Sequence, residues 1–224
     1  MILLLLSLTP EALLEKIDQS LKPPAYSAVI IMKNHLSERN TVDYKFLIKS
    51  QKDRGTIIEV LSPAREAGRK MLLIERNIWL YAPEINRTIR LSLRDRFFGS
   101  EFTNGDLLAS QYRDNYRAVS LDSTGKFYHL VLLAKDKKAP YSRIEMDVRK
   151  DILVPVSMNL YALSGRLLRR MEMKDIRVFD GYHIATYMVV KNQITPEKYT
   201  EVWVERFQPI TTFPEGTFRP WRLE

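Results

Sequence analysis

The sequence predicts a single domain of the α+β class, mainly β: an antiparallel meander of about eleven to thirteen strands closing toward a barrel or half-barrel, preceded by one helix. Three observations carry this. Hydrophobicity changes from a period of 3.6 to a period of 2 after Pro24 and keeps the shorter period through most of the chain. The strand-like runs are joined mainly by short polar turns, which favours a meander over crossover helices. With 224 residues, 45% of them hydrophobic, the chain can bury a sizeable core.

The first helix is marked residue by residue. Thr9 suits the N-cap, Pro10 the first helical position and Glu11 the positive helix start. Leu13, Leu14, Ile17 and Leu21 fall on one face. Pro23 and Pro24 end the helix. Strands are then expected at 26–35 and 42–50, joined by a short polar link at 36–40, and at 56–62, 70–75, 78–82 and 87–93. Asn77 and the run from Pro83 to Asn86 punctuate them.

The alternation breaks at 94–111. Gly99 and Gly105 flank Ser100, Glu101, Phe102, Thr103 and Asn104, and Thr103 or Asn104 can cap a short helix through Asp106, Leu107 and Leu108. This irregular insertion is rich in Phe97, Phe98, Phe102, Leu107 and Leu108, which must be covered. Strand-like runs resume at 116–121, 126–134, 141–148, 154–162, 166–174, 177–180, 183–191 and 200–207. The turns between them fall at 122–125, 162–165 and 180–181. The tail at 209–224, rich in Pro, Phe and Trp, is expected to pack as a short turn or helix.

Composition excludes several classes of chemistry. There is no cysteine, hence no disulfide, thiolate metal site, cysteine nucleophile or cysteine-linked lipid anchor. His35, His129 and His183 are far apart without metal-ligand spacing and read as structural or exposed residues. A nucleophile elbow, a phosphate loop and a dinucleotide fingerprint are all missing. Asp147 with Asp151, and Glu201 with Glu205, read as solvated strand charges rather than catalytic pairs. No enzyme activity, metal or cofactor is expected.

The net charge of +8 favours anionic partners such as phospholipid head groups, and serves equally as a solubilising surface. Nucleic acid is not an expected partner. An oligonucleotide-binding barrel has about five strands, and Trp79, Tyr81 and Trp203 sit in apolar company rather than beside basic clusters. Many strands alternate cleanly, as Met158 and Leu160 do against Ser157 and Asn159, so one face is buried. Eight methionines add adaptable apolar surface. One helix, one curved sheet and an apolar insertion are together suited to enclose an apolar cavity.

Residues 1–8 form an apolar run, too short for a span of about 20 residues and without a basic n-region or a small-residue cleavage site. The run is expected to be the remnant of a signal peptide, and residues 9–224 one domain.

A block in the middle of the chain is more specific. Ile78, Trp79, Leu80, Tyr81, Ala82 and Pro83 are followed by Arg87, Thr88, Ile89 and Arg90. Then come Phe98, Gly99, Ser100, Glu101 and Phe102, and Asp106 with Leu107. This succession resembles the outer-membrane lipoprotein-sorting family, the LolA-like group. Ser62 and Pro63 with the run from Gly68 to Leu73 resemble its preceding step, and Pro155, Tyr161, Gly165, Arg166, Asp180, Gly181 and Tyr182 also fit. The resemblance covers nearly the whole chain after the apolar run.

The resemblance implies an unclosed antiparallel β-barrel of about eleven strands, with the first helix as a plug and 94–111 as a helical lid. It implies an exported, periplasmic, monomeric carrier of lipoprotein acyl chains or another lipid. An inner-membrane exporter would be the donor and an outer-membrane acceptor the destination. Trp79, Tyr81, Ile89, Leu91, Met158, Met171 and Trp203 are the expected cavity wall. Phe97, Phe98, Phe102 and Leu107 are the expected lid, and Arg87 and Arg90 are either contacts to lid or head group or plain surface charge. A second reading stays open: an accessory subunit of an inner-membrane lipid exporter, with no transported ligand of its own. A receptor anchored through a lipobox cysteine is disfavoured, since no cysteine is present.

Overall fold

The path of the chain through its sheet decides where a cavity can form. The structure, a computed structural model, describes residues 8–107 and 111–219. Most of the apolar run at the start therefore lies outside the described residues.

Helix α1 (Pro10–Ser20) begins as its sequence dictates. The Thr9 side chain accepts from the Ala12 N–H at 3.2 Å, and Pro10 needs no hydrogen-bond partner in the first turn. The helix buries Leu13, Leu14 and Ile17 completely.

Among the described residues, thirteen strands form one sheet. They are β1 (Ala25–Ser37), β2 (Asn40–Gln51), β3 (Gly55–Ser62), β4 (Lys70–Ile74), β5 (Asn77–Ala82), β6 (Arg87–Leu91) and β7 (Tyr116–Thr124). β8 (Phe127–Ala134), β9 (Arg143–Arg149), β10 (Pro155–Tyr161), β11 (Leu167–Phe179), β12 (Tyr182–Asn192) and β13 (Tyr199–Pro209) complete it. The spatial order is β6-β5-β4-β3-β2-β1-β13-β12-β11-β10-β9-β8-β7. The chain thus starts in the middle, meanders to one edge at β6, crosses to the far edge at β7 and meanders back to lie beside β1. Every neighbouring pair is antiparallel, and β6 and β7 do not pair, so the barrel is unclosed.

This topology gives the crossing segment its role. Residues 92–115 must travel from one free edge to the other, and that path runs over the open side of the sheet. The segment contains a short helix, α2 (Asn104–Leu107). Of the two candidate caps, Thr103 does the work: its hydroxyl accepts from the Asp106 N–H at 3.3 Å.

The strand count is slightly above the eleven implied by the resemblance. One sequence expectation needs amending. The runs at 166–174 and 177–180 are one strand, β11. Asp175 between them adopts a left-handed conformation, φ 51°, and its carbonyl accepts from the Thr186 hydroxyl at 2.7 Å. A polar break that reads as a turn is a kink inside a continuous strand.

The inner face carries one continuous core that joins α1, the strands and the crossing segment. A smaller cluster lies on the outer face, where Ala25 and Leu72 meet Phe213 and Phe218. The tail at 210–219 packs there as extended chain and turns. Arg54 holds it by donating to the Phe213 and Pro214 carbonyls at 2.7 and 2.9 Å.

Candidate functional site

The inward residues of the central strands do not fill the space they enclose. Tyr26, Ala28, Ile30 and Met32 of β1, with Val202 and Val204 of the neighbouring β13, line one cavity with Met158 and Leu160 of β10 and Met171 and Met173 of β11. Its volume is about 230 Å³. One buried water needs only ~10–15 Å³ in this measure, so the space is many times larger than a structural water site. From Tyr26 to Met32 the wall runs about 20 Å at the rise of an extended strand. Besides tyrosine, the titratable side chains on the lining are Lys22, Asp106 and His183.

The crossing segment closes one end. Phe97 and Phe102 line the cavity directly and are almost fully buried. Phe98 does not reach the cavity lining. It packs beside it in tilted and edge-on ring contacts, with centroids 5.5 Å from Tyr44, 5.2 Å from Phe46 and 4.9 Å from Phe97. Phe98 holds a left-handed backbone, φ 45°, which is unfavourable for a bulky residue. The ring cluster is what compensates it. The Leu107 backbone is in α2, and its side chain lies outside the described residues.

Polar groups pin this segment to the sheet. Glu101 is 3% exposed. Its carboxylate accepts from Arg169 Nε at 3.2 Å and Asn192 Nδ2 at 2.9 Å, and pairs with Arg96 at 3.0 Å. Its N–H donates to the Thr200 hydroxyl at 2.9 Å. Thr200 in turn donates to Asn34 Oδ1 at 3.1 Å, and Asn34 Nδ2 donates to the Phe98 carbonyl at 3.1 Å. A buried charge is tolerated only with such a set of partners. Close by, Asp106 accepts from the Thr103 N–H at 2.6 Å and the Tyr141 hydroxyl at 2.9 Å. Burial pushes the Asp106 carboxyl up from its ordinary value, against these hydrogen bonds.

Helix α1 closes the adjoining side. Asp18 accepts the N–H groups of Tyr112 and Arg113 at 2.9 and 3.0 Å, and Glu11 accepts that of Ala118 at 2.9 Å. Burial of Asp18 raises its pKa from 3.8 to about 6, partly offset by those two backbone hydrogen bonds. Tyr112 donates to the Met158 sulfur at 3.5 Å, and burial pushes its hydroxyl well above the usual range.

The sequence-derived residues divide. Met158 and Met171 line the cavity, as do Phe97 and Phe102. Trp79 and Tyr81 do not: the register of β5 turns Ile78 inward and sends Trp79 and Tyr81 to the outer cluster with Phe213 and Phe218. Trp203 is likewise outside, packed on Tyr187, because its neighbours Val202 and Val204 take the inner face. Ile89 is 44% exposed on edge strand β6, and Leu91 packs on the main core away from the cavity lining. All five are corrections. For Trp79, Tyr81 and Trp203 the cause is strand facing, which has a period of 2 and is inverted by a single step; Ile89 and Leu91 share the inner face with their partners Leu80 and Ile78 but lie on the edge strand, away from the cavity. Arg87 and Arg90 are exposed on β6, where Arg90 donates to Asn77 Oδ1, and neither holds the lid. That task falls to Arg96, Arg169, Asn192, Thr200 and Asn34, which sequence spacing does not single out. The one available signal is Glu101, a charge inside an apolar insertion, which requires partners.

Among the described residues, no group of His, Cys, Asp and Glu is arranged to hold a metal ion, and no helix is long and apolar enough to cross a membrane.

Comparison with known proteins agrees with the architecture. A DUF1329 family protein from Desulfovibrio piger aligns with a TM-score of 0.87 at 21% identity, covering 96% of this chain and 98% of that one. A LolA superfamily protein from Nitrosomonas europaea aligns at 0.83 and 20%, covering 94% and 97%. A domain described as an outer membrane lipoprotein-sorting protein, from Vibrio parahaemolyticus, aligns at 0.81 and 20%, covering 94% and 96%. At this identity the likeness is one of fold. No curated protein matches the chain in sequence. A family model described as an uncharacterized protein matches residues 52–224. The chain belongs to that family, and its unclosed thirteen-stranded barrel with a crossing lid is the LolA-like fold.

Proposed function

We propose that this protein is a non-enzymatic carrier that shelters a lipid or a lipoprotein acyl chain in its half-barrel and moves it through the periplasm toward the outer membrane. The observation that carries the reading is the apolar cavity of about 230 Å³ between the sheet, the crossing segment and the residues just after α1. A hollow core is costly unless something fills it, because unfilled space forfeits packing. Each methylene moved from water into it gains roughly 0.8 kcal/mol. A tail of ten methylenes therefore gains about 8 kcal/mol before ordering costs.

The lid works by competition. Phe97 and Phe102 occupy the lid end when the segment is seated, and a tail extending there displaces them. The cost of opening is set by the hydrogen bonds at Glu101, and the cargo must offset it. The fold shared with a lipoprotein-sorting domain supports a lipid or lipoprotein cargo.

Native mass spectrometry of the purified protein, with uptake of a fluorescent fatty acid, tests the reading. The carrier retains lipid or takes up the probe to one equivalent. A clean apo mass with no uptake refutes transport and leaves an interaction subunit.

A further inference from the structure

The cavity has two chemically different ends. At the lid end the two buried carboxylates are satisfied: Asp106 and Glu101 each have several hydrogen-bond partners. At the other end, where β1 begins and β13 finishes, Lys22 and His183 stand on the lining. An aromatic rim frames that end, with Tyr26 stacked on Phe207 at 5.0 Å and Phe179 5.2 Å from Phe207.

Lys22, Tyr26 and Thr56 also line a second, polar cleft of about 770 Å³. The apolar cavity and the polar cleft therefore share a boundary. The cleft carries Lys22, Lys52, Arg54, Arg76, Arg113 and Lys135 against Asp18, Asp53, Glu75 and Asp114. Much of this charge is already committed. Arg76 pairs with Asp136 and Arg113 with Glu15. Arg54 spends its donors on carbonyl oxygens, which leave its charge uncompensated.

Lys22 is the informative residue. It is partly buried, and its ammonium sits 5.9 Å from the Tyr26 ring centre. Asp18, one helical turn earlier and the natural ion-pair partner, is turned instead to the N–H groups of Tyr112 and Arg113. Neither Lys22 nor Lys52 has an ion pair with any described residue. A partly buried ammonium held over an apolar cavity without a counter-ion is a place for an external anion.

We propose that the cargo is a single-tailed anionic amphiphile bound tail-first: the hydrocarbon in the apolar cavity, and a carboxylate or phosphate head group at Lys22, facing the cleft beside Lys52 and Arg54. This rests on the carrier reading and gives it a ligand class and an orientation. The free cations attract the head group, and the aromatic rim marks the depth at which tail gives way to head.

The experiment is competition against a bound fluorescent fatty acid at low salt. The competitors share one tail length: palmitate, palmitoyl lysophosphatidylglycerol, neutral monopalmitoylglycerol, and inorganic phosphate without a tail. The wild-type protein is expected to prefer the two anionic amphiphiles over the neutral one by roughly five- to tenfold, with the preference shrinking as salt rises. Lys22→Glu should abolish the preference, weakening palmitate binding more than monopalmitoylglycerol binding, while Lys22→Met should give an intermediate value. Equal affinity for charged and neutral competitors overturns the head-group assignment and leaves the carrier standing. Displacement by phosphate alone also overturns it, because the tail is then not needed. If the wild-type protein binds no amphiphile at all, the carrier reading falls and this inference falls with it.

Discussion

Asp18 makes a pH-dependent contribution that can be worked from its geometry. Its carboxylate takes the N–H groups of Tyr112 and Arg113, which lie just beyond the lid, and so fixes α1 beside the cavity. Burial raises its pKa from 3.8 to about 6. An acid with a raised folded-state pKa binds its proton more tightly when folded. Its contribution to stability is therefore complete below about pH 4 and is lost as pH rises through about 6. A difference of about 2 pKa units corresponds to roughly 3 kcal/mol at most. Asp18→Asn removes this titration and replaces one carboxylate acceptor with an amide donor, at a pH-independent cost of about 1–2 kcal/mol. Urea unfolding of both proteins from pH 4 to pH 8 separates the effects. The variant should be less stable at pH 4 and should reach or overtake the wild type near pH 7–8. Carboxylates with lowered pKa, such as Asp147 and Glu172, run the opposite way but cancel in the difference. A wild-type minus variant difference that stays flat across this range would refute the reasoning.

The lid end and the cavity give further expectations. Glu101→Ala leaves Arg169, with a side chain 12% exposed, without its carboxylate. It should cost about 3–5 kcal/mol in urea unfolding and speed hydrogen exchange of the amides at 97–104, with Glu101→Gln milder on both measures. Ala28→Phe puts a ring into the cavity that Ala28 lines. Fluorescent fatty-acid affinity should fall at least tenfold, with a stability loss of only about 1–3 kcal/mol and an unchanged circular dichroism spectrum. Gly105→Ala would set a methyl 2.8 Å from Pro140 Cγ and 3.2 Å from the Leu93 carbonyl, which accepts the Gly105 N–H at 2.8 Å. Thermal unfolding should report a loss of about 1–3 kcal/mol and earlier proteolytic cleavage of the crossing segment.

Local signals were readable because they depend on near neighbours. Thr9, Pro10 and the stripe of Leu13, Leu14 and Ile17 define α1 without reference to the rest of the chain. Alternation defines most strands, and the apolar break with Phe97 and Phe102 marks the lid. Met158 and Met171 were legible as wall because each alternates with plainly polar neighbours. Trp79 and Trp203 were not, since aromatic side chains suit either face of a sheet, and both find apolar partners on the outside. Asp175 shows the limit for strand boundaries, because a kink and a turn have the same composition.

The amino-acid sequence by itself determined the class of fold, the first helix, the order of strands along the chain and the place of the lid, since each follows from periodicity, capping and breaks in pattern. Only the tertiary structure decided that β1 pairs with β13, and therefore that the crossing segment spans the open side. It also decided which face of each strand looks into the hollow, and that Glu101 meets Arg169 and Asn192 across long stretches of chain while Lys22 meets no carboxylate. The physical reason is that register and long-range charge pairing depend on which segments become neighbours in space, which a pattern repeating every two residues does not encode.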